Sequence, residues 1–304
     1  MRAVRLHSDA GSAGLSLDDI EVPEPGAGDA LVRVHAAAIT RGELEWPVDR
    51  LPAIPSYELS GVVEAIGAGV TEPAVGTEVY ALTAFDRDGV AAEHAVVAAE
   101  LLAPKPARLD HVESAAIPMP GLTAWQGLFD HGRLETRQRV LIHGAAGGVG
   151  HVATQLARDR GAHVLATASA ARIPDALAGG AHEAFDRASL SAGEIEAVDL
   201  VFDTVGGETL AGSAAFLHDG GRIVSVAEDP PAELVAHVDA RYFVVEPGRR
   251  EQLAELAELA DEGRLRPAID SVFPLSDARA AFERVAVPGK HGKVVLRVVE
   301  PGWG

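Results

Sequence analysis

The chain has 304 residues, with 45 acidic against 26 basic side chains, a formal net charge of −19 and no cysteine. That balance argues against nucleic acid or an anionic membrane surface as a partner, because phosphates are met by basic faces. Disulfides and thiolate metal ligands are excluded outright.

In chain order, residues 1 to about 115 show short strand-like runs at Ala30–Ala37, Gly61–Ile66, Gly76–Leu82 and Ala91–Val97, punctuated by proline and glycine as in VPEPGAGD and IGAGVTEPAVG. This predicts an all-β domain of barrel type. No apolar run reaches the roughly 18 residues of a membrane span, and the opening MRAVRLHSDAG lacks an apolar secretory core. A cytoplasmic location is the expectation.

The stretch from Arg139 to Gly150, RVLIHGAAGGVG, carries the most information. A buried strand at Val140–Ile142 runs into a glycine-rich turn, and a helix over Val149–Arg160 follows at once. Glycines 147, 148 and 150 leave room for a ligand, and the helix N-terminus offers N–H groups and a positive dipole end, which suits a pyrophosphate. Further strands are read at His163–Thr167, Asp199–Asp203, Gly221–Ala227 and Arg241–Val245. Helices are read at Ile173–Ala178, Glu208–Leu217 and Arg249–Glu262, the last stopped by Gly263. The alternation predicts an α/β fold with a doubly wound parallel sheet, a dinucleotide-binding domain over 116–265. The final run, Lys293–Val299, is read as a strand returning to the β domain. That makes the β domain discontinuous, 1–115 plus 266–304, and puts the active site in a cleft between domains at the carboxyl ends of the parallel strands.

The second strand ends Ala166-Thr167-Ala168-Ser169-Ala170-Ala171-Arg172, with no acid before Asp175. An acid there would bind a ribose 2′-hydroxyl and repel a 2′-phosphate. Ser169 and Arg172 instead suit the phosphate, so NADPH is expected over NADH.

The stretches Ile54–Val63, Glu64–Val70, Pro120–Ala124, His143–Gly150, Asp203–Gly207 and Gly289–Lys293, in that order, resemble the medium-chain dehydrogenase/reductase superfamily, on its zinc-independent quinone oxidoreductase (zeta-crystallin-like) branch. The resemblance implies a GroES-like β domain, a Rossmann domain and a homodimer. The positions that hold catalytic zinc ligands in the alcohol dehydrogenases look like Thr40, Tyr57-Glu58 and the segment 119–124, and none offers Cys or His. No metal site is expected. Without a Lewis acid, a quinone or an α,β-unsaturated carbonyl is the easier target, since hydride addition gives a delocalised anion that hydrogen-bond donors can stabilise.

By the same resemblance, Ala146, Gly147, Gly148, Val149 and Gly150 hold the pyrophosphate, and Ser169 and Arg172 face the 2′-phosphate. Arg187 stands where relatives carry an aromatic residue on the adenine side. Thr204, Val205, Val226, Ala227, Phe243, Val244 and Val245 line the cofactor, and Thr123 lies near the nicotinamide. Thr40, Glu43, Trp46 and Tyr57 line the substrate side, with Tyr57 the first choice to donate to the acceptor oxygen and Thr40 beside it. Glu43 is an odd neighbour for an enolate and could orient Arg41. Lys290 and Lys293 could reach cofactor phosphates or sit solvated in a turn. The rivals to quinone or enone reduction are an enoyl-thioester reductase and a non-catalytic NADPH-binding sensor or structural protein.

Overall fold

The structure is a computed structural model that describes residues 1–287 and 289–299, with Val48 described by its backbone alone. Its contacts divide into two units: residues 1–119, 247–263 and 267–304 form the first, and residues 120–246 and 264–266 the second. The expected barrel residues 300–304 lie outside the described residues.

The first unit opens with an antiparallel hairpin, β1 (Arg2–Leu6) and β2 (Leu15–Asp19). Then come β3 (Asp29–Ile39), β4 (Glu58–Ile66), β5 (Glu78–Leu82), β6 (His94–Ala98) and the short β7 (Ala103–Pro104). The eleven-residue β3 is the hub, pairing antiparallel with both β4 and β6. Alternation along these strands turns Val32, Val34, Leu59, Val63, Val79 and Val97 into one apolar core. Helix α1 (His111–Ala115) is started by a capping box: the Asp110 side chain accepts from Glu113 N–H, and the Glu113 side chain accepts from Asp110 N–H. Helix α2 (Pro118–Trp125) follows, continued by a π-helical turn over Gln126–His131; from Pro120 on these residues belong to the second unit.

The second unit is a six-stranded sheet. Its members are β8 (Arg139–His143), β9 (His163–Ala168), β10 (Glu183–Asp186), β11 (Val198–Asp203), β12 (Leu217–Ser225) and β13 (Asp239–Tyr242). Every pairing is parallel and the order is β10-β9-β8-β11-β12-β13. This is the doubly wound arrangement the sequence predicts. Helix α3 (Gly150–Asp159) buries Val152, Ala153, Leu156 and Ala157, a spacing of three and four residues that lays one apolar face on the sheet. The shorter α4 (Ile173–Ala178), α5 (Gly207–Ala211) and α6 (Ala232–Val235) follow β9, β11 and β12. The helix expected over 208–217 is broken: α5 stops at Gly212, a 3₁₀ turn spans Ser213–Phe216, and Leu217 already belongs to β12. The last strand is shorter than expected, leaving Phe243 to Val245 as extended chain beyond it.

From Pro247 on, apart from Arg264–Arg266, the chain belongs again to the first unit. Helix α7 (Arg250–Asp261), which the sequence places with the dinucleotide-binding domain, makes its contacts in the first unit instead. The Tyr80 hydroxyl donates to Leu253 C=O, and Arg108 N–H donates to Asp261 at 2.9 Å. Strand β14 (Ile269–Pro274), helix α8 (Ala278–Ala286) and strand β15 (Lys293–Arg297) complete it. Strand β15 pairs antiparallel with β3, Val294 opposite Ile39. Among the described residues no helix is long and apolar enough to cross a membrane.

Candidate active site

In the sheet unit the site is made of backbone. Strand β8 leaves the sheet at Gly144 (φ +78°), whose N–H and that of Ala145 both donate to Thr167 C=O at 3.0 Å. The left-handed φ suits glycine. The turn closes with Gly147 N–H donating to Gly144 C=O at 2.9 Å, and α3 begins at Gly150. A Cβ at Gly150 would lie 2.2 Å from Gly144 O and 2.7 Å from Gly144 C, so only glycine lets the first helical turn press this closely on the strand end. The helix thus starts directly behind a turn whose side chains are only glycine, alanine and Val149, the arrangement in which a helix N-terminus can bind phosphate. Gly147, Gly148 and Val149 are half-buried, and Ala146 and Gly150 are buried.

Around this turn the neighbouring strand ends are tied down. Asp203 is fully buried at the end of β11. Its carboxylate accepts from Gly206 N–H (3.0 Å), Val205 N–H (3.2 Å) and the Ser225 hydroxyl (2.9 Å). Burial raises its pKa, and these hydrogen bonds oppose the rise. Thr204 donates its hydroxyl to His143 C=O at 2.8 Å, and Val226 N–H reaches Asp203 C=O at 3.0 Å. The carboxylate thereby fixes the loops that carry Thr204, Val205, Val226 and Ala227. Beyond β13, Phe243 and Val245 are buried while Val244 is exposed. Gln126 clamps that segment, its Nε2 donating to Glu246 C=O (3.0 Å) and its Oε1 accepting from Glu246 N–H (2.9 Å). Nothing in the sequence near Gln126 pointed to this clamp. Thr123, one turn earlier, is buried.

No acid caps β9. Ser169 is exposed, and Arg172 is paired with Asp175 at 3.0 Å. Arg187 follows β10, with its N–H donating to Ala168 C=O at 2.8 Å. Among the described residues no hydrogen bond or ion pair engages its guanidinium. It lines a cavity of about 440 Å³ together with His143, Thr167, Leu190, Glu208 and Phe216. The β10–β11 crossover, which passes over two strands and carries no helix, supplies Arg187 and Leu190 to the cavity wall. On its wall the buried His143 pairs Nδ1 with the Thr167 hydroxyl at 2.9 Å. Burial, helped by Arg187, pushes its pKa down to about 4, so the ring is neutral.

In the barrel unit the site is made of side chains. Lys293, at the start of β15, is buried, not solvated. Its ammonium donates to Glu58 Oε1 and, at 2.9 Å, to the Thr40 hydroxyl. Thr40 donates in turn to Glu58 Oε1 at 3.2 Å, and Met119 N–H donates to Glu58 Oε2 at 2.9 Å. The expectation that Lys293 could reach cofactor phosphate thus gives way to a buried ion pair. Glu43 does not orient Arg41: it turns inward, 1% exposed, and its Oε2 accepts from Thr40 N–H at 2.9 Å. Burial first, and Glu58 as well, push its pKa up to about 8, against the pull of Thr40 N–H and Lys293. Lys290 is half-buried, its pKa lowered by burial and by Arg41 and Lys293.

Tyr57 is fully buried, and Arg50 donates to its hydroxyl at 3.2 Å and to Phe85 C=O at 2.7 Å. Tyr57, Trp46 and Phe85 form a trio with ring centroids 5.3–5.5 Å apart, of which Trp46 is 39% exposed. Arg50 and Phe85 carry no sequence signal and were not anticipated. The preceding residue, Ser56, sits at φ +67°, a left-handed conformation uncommon for serine, held by its hydroxyl donating to Ala38 C=O at 2.9 Å. The positions that hold zinc in the alcohol dehydrogenases do not fit a metal here. Both oxygens of Glu58 are engaged by Lys293, Thr40 and Met119, and among the described residues no three His, Cys, Asp or Glu side chains converge.

Two family models match: an alcohol dehydrogenase GroES-like domain over residues 26–107 and a zinc-binding dehydrogenase model over 179–296. The quinone oxidoreductase of Rattus norvegicus is 30% identical over 97% of this chain and 97% of its own length. The chain belongs to the medium-chain dehydrogenase/reductase family, on its quinone oxidoreductase branch. The solved quinone oxidoreductase of Coxiella burnetii superposes with a TM-score of 0.91 at 29% identity, covering 98% of this chain and 99% of that one. A mycobacterial relative solved in complex with NADPH superposes with a TM-score of 0.86 at 26% identity, covering 98% of this chain and all of that one. The chain is an oxidoreductase of this family.

Proposed function

We propose that the chain is an NADPH-dependent, metal-independent reductase of quinones or α,β-unsaturated carbonyls. The observation that carries the reading is the turn at 144–150, built of four glycines, two alanines and a valine and leading into α3, beside a β9 end with no acid. The residues fit the dinucleotide. The turn and the first amides of α3 would hold the pyrophosphate, with Ser169, Arg172 and Arg187 toward the 2′-phosphate. The cavity lined by Arg187 and Phe216 would take the adenosine end. When bound, the dinucleotide supplies a hydride. What the protein adds is orientation, exclusion of water and hydrogen-bond donors for the oxygen on which charge develops. The NADPH complex of the mycobacterial relative and the name of the rat enzyme support the cofactor and acceptor class. The weakly polarised acceptor suits a donor set that cannot hold zinc. Mixing the protein with NADPH and a panel of quinones and enones tests it: cofactor absorbance is expected to fall with at least one acceptor, and faster than with NADH. Tight NADPH binding with no oxidation by any acceptor would favour a sensor.

A further inference from the structure

The cavity that adjoins the glycine turn lies wholly within the sheet unit, and its wall carries two opposite charges that do not pair. Arg187 comes from the crossover after β10, and Glu208 from the first turn of α5. Among the described residues neither charged group makes a hydrogen bond or an ion pair, although both line the same space. Thr209, the next residue, lines it too, and among the described residues its hydroxyl is equally unbonded. The rest of the wall is apolar or neutral. Leu190 and Phe216 are half-buried and pack on the cluster formed by β8, β9 and β11, so the core holds them in place. Thr167 connects the cavity to the phosphate turn, since its C=O anchors the amides of Gly144 and Ala145. A space of about 440 Å³ with apolar sides and a few polar groups is of the size that takes a small ligand or part of one.

The polar groups select which part. A carboxylate only accepts hydrogen bonds, while a threonine hydroxyl can donate. Side by side they match a ring edge that offers a donor next to an acceptor. Adenine has that edge, its 6-amino group beside a ring nitrogen, whereas a 6-oxo purine puts an acceptor where the amine was. A carboxylate repels phosphate, so Glu208 belongs with the base and Arg187 with the phosphate. We propose that Glu208 and Thr209 select adenine, the Glu208 carboxylate accepting from the 6-amino group and the Thr209 hydroxyl donating to the neighbouring ring nitrogen. The assignment rests on the cofactor reading above and deepens it, since it makes the site selective for the base as well as for the 2′-phosphate.

Calorimetric titration with NADPH and with its 6-oxo analogue, reduced nicotinamide hypoxanthine dinucleotide phosphate, tests it. The wild type is expected to bind NADPH about tenfold more tightly, because the analogue sets an oxygen against the carboxylate. Glu208→Gln, a near-isosteric change at an exposed residue, is expected to bring that ratio to about one, since its amide can turn a donor toward the oxygen. Thr209→Val is expected to cost about threefold in NADPH affinity, and Thr209→Ser to keep it. Arg187→Ala is expected to weaken both nucleotides alike and leave their ratio as in the wild type. Equal binding of the two nucleotides by the wild type overturns the assignment, as does a ratio that survives Glu208→Gln or follows Arg187 instead. Thr209→Val with wild-type affinity removes the threonine from it. Binding is the readout, so the outcome does not depend on whether any acceptor is reduced. A wild type that binds neither nucleotide overturns the cofactor reading, and this assignment with it.

Discussion

The glycine turn of the sheet unit and the Thr40–Glu43–Glu58–Lys293 cluster of the barrel unit solve opposite problems. The first presents backbone amides and removes side chains, so its chemistry sits within a dozen consecutive residues. The second gathers side chains from a strand end, a turn, a second strand and the C-terminal strand, with Glu58 and Lys293 235 positions apart. A backbone site is fixed by local conformation. A side-chain site exists only while the strands that carry it stay paired, and its charges must balance.

That contrast breaks most sharply at the cation. Lys293→Met leaves Glu58 buried with no partner for its charge, and an unfolding free energy lower by about 3–5 kcal/mol is expected in chemical denaturation. Glu58→Gln combined with Lys293→Met should recover most of it. A single variant as stable as the wild type would mean that the pair does not hold the barrel together. Each unit also holds a histidine whose pKa is depressed, His143 buried and His111 half-buried. His143 in the sheet unit and His111 in the barrel unit are both pushed down to about 4, in each case by burial first, with His35 next for His111. Their folded pKa values lie below the unfolded value of about 6.5. Their contribution is therefore whole above pH 6.5 and is lost as pH falls toward 4. For His143 the gap amounts to about 3 kcal/mol. Urea midpoints measured down that range should drop for the wild type and drop less for His143→Gln; equal slopes would refute the linkage.

The smallest effect sharpens the cofactor side. Arg172 is already paired with Asp175, whereas among the described residues the Arg187 guanidinium has no such partner. Arg187→Ala should cost about tenfold in NADPH affinity by calorimetry and leave NADH nearly unchanged. Arg172→Ala should cost about twofold, in keeping with a surface ion pair. The reverse order would return the 2′-phosphate to Arg172.

The parallel sheet was legible because short apolar strands, helix faces and the Gly147–Gly150 turn are local patterns. Helix α7 was misplaced for the converse reason: its Leu253, Leu256 and Ala260 stripe shows that a face is buried but not against which unit. The same holds for Lys293, which in sequence is one more lysine in a glycine-rich turn. Thr40, Glu43 and Tyr57 could be picked out by resemblance, yet their states could not.

By itself, then, the sequence determined the two kinds of domain, the dinucleotide turn and the lack of zinc ligands, since each depends on residue type and spacing along the chain. Only the tertiary structure decided that Lys293 neutralises Glu58, that Arg50 bonds to Tyr57 and that Glu43 turns inward. Ionisation and pairing depend on desolvation and on charges brought within a few ångströms by strands far apart in sequence.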